Sequence, residues 1–274
     1  MTDTTSAHAD VNGAQLYYEL AGSGHPLVFL HAGIANCQMW DDNFPAFAEH
    51  YRALRYDMRG YGRSPMPPGE YSHSNDLRAL LDALGIDKAH LVGCSQGGRV
   101  ALEFALEHPD RVSALVLSGA SLRGYDYSDV VTQYAENNDR AYEAGDIDLA
   151  TELDMRMWVD GPKRRAEKVD PIFRERARAM AKDVYKTSPD IATERSFATP
   201  AANRLWQIKA RALVLVGEYD VPDMINIAGL VAFALDQSEK ALIPGAGHLL
   251  PMELSDEFNR RALAFLAQSS EHSI

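Results

Sequence analysis

Cysteine is scarce in this chain of 274 residues. The two present, Cys37 and Cys94, stand in no C-x-x-C pair or other metal-like spacing, so a reduced chain without a disulfide scaffold is the simplest reading. Positive charge is also short. The 27 Lys and Arg face 39 Asp and Glu, a formal net charge of −12. That balance argues against nucleic acid and against an anionic membrane surface as partners. No apolar run approaches the roughly 18 residues of a membrane span. The opening MTDTTSAHAD has no basic stretch followed by an apolar one, so no signal peptide is expected and the cytoplasm is the expected location. Internal repeats and low-complexity tracts are lacking as well.

What is present is apolar residue in quantity, 46% of the chain, enough for a large core. HADV and AQLYYEL, either side of Asn12-Gly13, read as a hairpin. Strand-like runs then recur at 26–33, 51–57, 89–94 and 111–120, and helical spacing fills the gaps: a short helix around Met39–Phe47 interrupted by Pro45, another over Ser74–Leu84, and a third over Gln96–Glu107. This alternation predicts the α/β class, a mostly parallel twisted sheet of about eight strands with helices on both faces. Residues 123–203 break the rhythm. They carry many charges, helix-like blocks and no convincing strand, with breaks expected at Gly161-Pro162, Ser188-Pro189 and Thr199-Pro200. Strands resume at 211–220 and 239–248, and SDEFNRRALAFLAQ makes a last helix with Ser255 as its expected N-cap. The expected organisation is a core of residues 1–122 and 204–274 with a helical lid, 123–203, inserted between them.

The stretch LVGCSQGG contains G-x-S-x-G, with a strand before it and a helix after it. A serine on so sharp a turn needs small neighbours, here Gly93, Gly97 and Gly98. Glycine-rich turns of this kind also bind phosphate, but neither G-x-G-x-x-G nor G-K-[ST] stands here. A serine hydroxyl is a weak nucleophile without a general base held by a carboxylate. Of nine histidines, His248 is the candidate base, because GAGH follows a strand and precedes the last helix. Asp220, at the end of ALVLVGEYD, is the candidate acid; Glu218 and Asp223 are its local rivals. Asp57, among Arg55, Arg59 and Arg63, reads as an ion-paired anchor. The order Ser95, Asp220, His248 is the one the α/β-hydrolase arrangement requires. Oxyanion donors are expected from the backbone N–H groups of Gln96 and Gly33, with Ile34 as alternate. His31 reads as a hydrogen-bonding residue that holds that loop. Trp40, Trp158 and Trp206 are aromatic candidates for a pocket wall. Trp206 is expected to pack instead, and Ile34 and Trp158 are taken as pocket residues.

With LVFLHAGIANCQMW, YDMRGYGRSP, LVGCSQGG, LVLVGEYD and PGAGHLLPMELSDEFN, nearly the whole chain resembles α/β-hydrolase-fold proteins of the lid-bearing esterase, lactonase and C–C hydrolase group. His31-Ala32 departs from the more usual His-Gly. The resemblance implies that the lid sets specificity. It also implies a serine hydrolase that cleaves a small carboxylic ester or lactone through an acyl-enzyme, with no metal and no organic cofactor. C–C bond hydrolysis stays open as an alternative, although Asn36 is only loosely placed for it. So does a cofactor-free perhydrolase, although Gly97-Gly98-Arg99-Val100 differs from the Gly-Gly-Gly-Glu typical there. A non-catalytic small-ligand receptor is the alternative of another class, and a homodimer is left open.

Overall fold

A computed structural model of the chain describes residues 3–187, 192–195 and 198–268. β1 (Thr5–Val11) and β2 (Ala14–Ala21) form the expected hairpin. Asn12 and Gly13 take φ of 47° and 76°, the left-handed pair that a tight two-residue turn requires. β3 (Pro26–Leu30), a 3-10 turn over Cys37–Trp40, α1 (Phe44–Ala48), β4 (Arg52–Tyr56), β5 (Gly69–Tyr71), α2 (His73–Ala83), β6 (Ala89–Cys94), α3 (Gln96–Glu107) and β7 (Val112–Ser118) follow. Next come α4 (Asp129–Glu143), α5 (Ile147–Asp154), a π-helical turn over Met155–Asp160, α6 (Pro171–Thr187) and β8 (Ala192–Glu194). β9 (Arg211–Gly217), α7 (Pro222–Ala234), β10 (Ser238–Ile243), α8 (Leu250–Glu253) and α9 (Ser255–Ala267) complete the described chain.

Eight strands make one sheet in the order β1-β2-β4-β3-β6-β7-β9-β10. β2 pairs antiparallel with β1 and with β4, and every later pairing is parallel. The central strands alternate between two buried clusters. Val28, Leu30, Leu91, Leu115, Leu117, Val214 and Val216 face one side, with Leu77 and Leu80 of α2, Phe104 of α3 and Ile227 of α7. Leu27, Phe29, Val92, Val116, Leu213 and Leu215 face the other, with Phe47 of α1 and Phe258 of α9. Strands buried on both faces explain the continuous apolar runs in the sequence. No helix among the described residues is long and apolar enough to cross a membrane.

Three local expectations change. Pro45 does not interrupt a helix; it lies in the first turn of α1, where its missing N–H has no intrahelical partner to lose. Leu254, not Ser255, occupies the cap position of α9. There α8 runs almost directly into α9, and the Leu254 carbonyl accepts from Phe258 N–H at 3.0 Å. A strand does occur within 123–203: β8 pairs in parallel with β5 as a separate two-stranded sheet. Three residues are too few for periodicity to betray, and the partner lies far away in sequence. Of the expected breaks, Gly161 takes φ 76° at the end of the π-helical turn, and Ser188-Pro189 lies outside the described residues.

Candidate active site

Ser95 sits between β6 and α3 with φ 53° and ψ −116°, a backbone region that side-chain-bearing residues rarely enter. Its own backbone is anchored on both sides. Ser95 N–H donates to the Ser118 carbonyl at 2.9 Å, and the Ser95 carbonyl accepts from Arg99 and Ser121 at 3.0 and 3.1 Å. The flanking glycines are close-approach positions. A Cβ on Gly93 would stand 2.5 Å from the Gly97 carbonyl oxygen, one on Gly97 2.1 Å from that of Leu30, and one on Gly98 2.5 Å from Ala120 Cβ. Strand β6, helix α3 and the ends of β3 and β7 therefore close around the serine with no room for a methyl group.

Asp220 follows β9, and His248 lies between β10 and α8. The two side chains are almost fully buried, and His248 Nδ1 lies 3.0 and 2.9 Å from the two carboxylate oxygens. A ring nitrogen facing a carboxylate at this distance carries the proton, which turns Nε2 into the acceptor of the neutral ring. Asp220 Oδ1 also accepts from Val221 N–H at 2.7 Å. The rival acids are engaged elsewhere. Glu218 accepts from Gly245 N–H at 2.9 Å, and Asp223 accepts from Ser128 N–H and hydroxyl at 2.7 and 2.8 Å, tying the start of α4 to α7. Asp57 is an anchor, but mainly for backbone: it accepts from the N–H groups of Cys37 and Arg63, with the Arg63 side chain at 3.4 Å. Arg55 pairs instead with Glu19 and Asp41, and Arg59 with buried Asp76.

Ser95 and His248 border one cavity of about 270 Å³. Gly33, Ile34 and Gln96 line it beside them, so both expected oxyanion donors and the alternate meet the serine there. His31 lies behind this loop; its Nδ1–H donates to the Ala32 carbonyl at 2.8 Å and its Nε2 accepts from Met58 N–H at 2.9 Å. Burial lowers its pKa, in keeping with a neutral ring. Asn36 caps the 3-10 turn by accepting from Gln38 N–H and does not border the cavity. Trp158 does border it, with its ring 4.8 Å from that of His248. Trp40 is core, packed on Phe29, and Trp206, expected to pack, is 63% exposed.

The sequence reading missed several residues at the site. Tyr61 and Gln96 join their side chains at 3.0 Å; the Gln96 amide also lies 3.5 Å from His73 Nε2, and burial holds His73 down to about 4, neutral. Tyr127, Val131, Tyr134 and Met224 complete much of the wall. Tyr61 stands in the stretch YDMRGYGRSP. The others are ordinary helix or loop residues that only tertiary packing brings to the serine. Among the described residues no group of three or more His, Cys, Asp or Glu is arranged to hold a metal ion.

The chain as a whole is similar to known proteins. The 2-hydroxy-6-oxononadienedioate/2-hydroxy-6-oxononatrienedioate hydrolase of Paraburkholderia phymatum is 30% identical over 306 aligned positions, covering 98% of this chain and 100% of that protein. The solved structure of Est816, described as an N-acyl homoserine lactone degrading enzyme, superposes with a TM-score of 0.75 at 28% identity, covering 94% of this chain and all of its own. That of a hydrolase from Pseudomonas aeruginosa gives 0.77 at 29% identity, covering 95% of this chain and 98% of its own. A profile of the alpha/beta hydrolase fold family matches residues 25–253, a span from β3 to α8 that takes in the serine, the aspartate and the histidine together. By fold and by sequence alike, this chain belongs to the alpha/beta hydrolase fold family and is a hydrolase of that fold.

Proposed function

We propose that the protein hydrolyses a small, uncharged carboxylic ester or lactone through an acyl-enzyme on Ser95, with residues 123–203 acting as the lid that shapes its pocket. Ser95 Oγ attacks the carbonyl carbon while His248 Nε2 takes the hydroxyl proton. Asp220 keeps His248 in the tautomer that can accept it and offsets the charge that develops on the ring. The backbone N–H groups of Gly33 and Gln96 receive the oxyanion, each worth about 3 kcal/mol in the transition state. The tetrahedral intermediate collapses with the leaving alkoxide taking the proton from His248. Water, deprotonated by the same ring, then releases the acid and restores Ser95. The steps run on the chain's own groups and call on no cofactor. The setting we propose is the cytoplasm.

The observation that carries the choice of substrate is the cavity wall. Among the described residues that line it, none is Lys, Arg, Asp or Glu; beside Ser95 and His248 stand chiefly Ile34, Val131, Trp158 and Met224 with the hydroxyls of Ser121, Tyr127 and Tyr134. A dienedioate, as in the name of the Paraburkholderia phymatum relative, carries two carboxylates. Burying a carboxylate against such a wall without a cationic partner is strongly unfavourable. An ester or lactone without charge meets no such penalty, as with the N-acyl homoserine lactones in the description of Est816. A panel of neutral p-nitrophenyl esters, lactones and carboxylate-bearing dienoates tests the reading. Turnover of neutral esters or lactones, blocked by phenylmethylsulfonyl fluoride, is expected. Turnover confined to the dienoates would replace it with C–C bond hydrolysis.

A further inference from the structure

Beside the cavity at Ser95 lies a second space, an apolar surface groove of about 290 Å³. The same two elements divide them. α4 gives Val131 to the cavity and Val130 to the groove, and the π-helical turn gives Trp158 to the cavity and Met157 to the groove. Tyr134 of α4 borders both. Its ring stands edge-on to that of Trp158, with centroids 5.4 Å apart and planes at 88°.

That ring is fixed through its hydroxyl. Trp158 Nε1–H donates to Tyr134 Oη at 2.7 Å, and the Tyr134 hydroxyl donates in turn to Asp154 Oδ1. Asp154 is 3% exposed, and its other oxygen accepts from the Tyr185 hydroxyl at 2.6 Å. The Asn138 amide, which donates to Tyr185 Oη at 2.8 Å and to the Ala150 carbonyl at 3.0 Å, holds the far side. Thus α4, α5, α6 and the π-helical turn each contribute to one polar network around buried Asp154, and Tyr134 and Trp158 are its members that border the cavity at Ser95. Buried polar groups with all partners in place specify one arrangement, because any other leaves one of them unsatisfied.

We infer that Tyr134 is the specificity-determining residue for substrate size. Its pinned ring partitions the cavity from the groove and restricts the enzyme to short acyl groups, and removing the ring joins the two spaces into a channel that accepts a long alkyl chain. The inference rests on acylation of Ser95, and its test separates the two. p-Nitrophenyl phosphonates carrying a methyl or an octyl chain on phosphorus trap such a serine: the Ser95 Oγ–P bond forms, the bond from phosphorus to nitrophenolate breaks, and the hydroxyl proton passes to His248. In the parent, the methyl probe is expected to label Ser95 at least tenfold faster than the octyl probe. Tyr134→Ala should raise the octyl-to-methyl rate ratio at least tenfold. Tyr134→Leu, which gives up the ring and both hydrogen bonds but keeps apolar bulk, should raise it at least threefold. The ratio of p-nitrophenyl octanoate to acetate turnover should move the same way. An unchanged ratio in either variant, shown to be folded by circular dichroism, overturns the partition, as does a parent that accepts both probes equally. Labelling of Ser95 by neither probe in the parent overturns the acylation chemistry itself, and the partition with it.

Discussion

At the scale of single residues, the site depends on positions where a methyl group has no place. Gly119 is the case that touches the aspartate–histidine pair directly. It takes φ 52°, and a Cβ there would stand 3.0 Å from both Asp220 Oδ2 and His248 Nδ1. Gly119→Ala therefore strains the backbone and displaces the aspartate–histidine pair. Misplacement of a catalytic group by about 1 Å can cost on the order of 10²-fold in rate. A fall of that size in kcat/KM is expected, with KM little changed, measured by ester hydrolysis on protein whose folding is verified by circular dichroism. Activity at the parent's level would mean that the position of the pair does not govern the rate. Ser95, Asp220 and His248 stand out in the sequence as a candidate triad because each follows a recognisable strand, and their order along the chain restricts the alternatives. Tyr134, Asp154 and His73 could not, since nothing local separates a tyrosine that faces a reaction centre from one that packs in a helix.

At the scale of elements, the segment between β7 and β9 holds the least legible features. Its helical character follows from composition. The pairing of β8 with β5 and the meeting of four elements at Asp154 are non-local, and no periodicity carries them. Asp154 also leaves a thermodynamic trace. Burial pushes its carboxyl up to about 6, although the hydroxyls of Tyr134 and Tyr185 pull it down. In the unfolded chain the group titrates near 4. Between these values the folded chain holds more protons than the unfolded one, so this group's contribution to stability falls as pH rises. The penalty is absent below about pH 4 and complete above about pH 6, where it approaches 3 kcal/mol. Asp154→Asn is neutral at every pH and escapes it. The stability of the variant relative to the parent should accordingly rise by up to about 3 kcal/mol from about pH 4 to about pH 7 in urea unfolding. A difference that does not change with pH would show that Asp154 is ionised as easily in the fold as outside it.

At the scale of the whole molecule, the sheet was the most legible part. The strand-like runs at 26–33, 51–57, 89–94, 111–120, 211–220 and 239–248 recur as β3, β4, β6, β7, β9 and β10. Strands buried on both faces leave an unmistakable run of apolar residues, and the sheet then brings the segments after β3, β6, β7 and β10 to one cavity. What the sequence could not disclose is how the wall of that cavity is charged, because Ile34, Val131, Trp158 and Met224 come from four separate parts of the chain. That neutral wall is the ground of the proposed ester or lactone substrate, while the proposed chemistry centres on the Ser95 hydroxyl oxygen. The most direct test is the hydrolysis of p-nitrophenyl butyrate by purified parent and Ser95→Ala protein under identical conditions. A loss in kcat on the order of 10⁴ or more is predicted for the variant. Equal rates in the two proteins would contradict the assignment of Ser95 as the nucleophile.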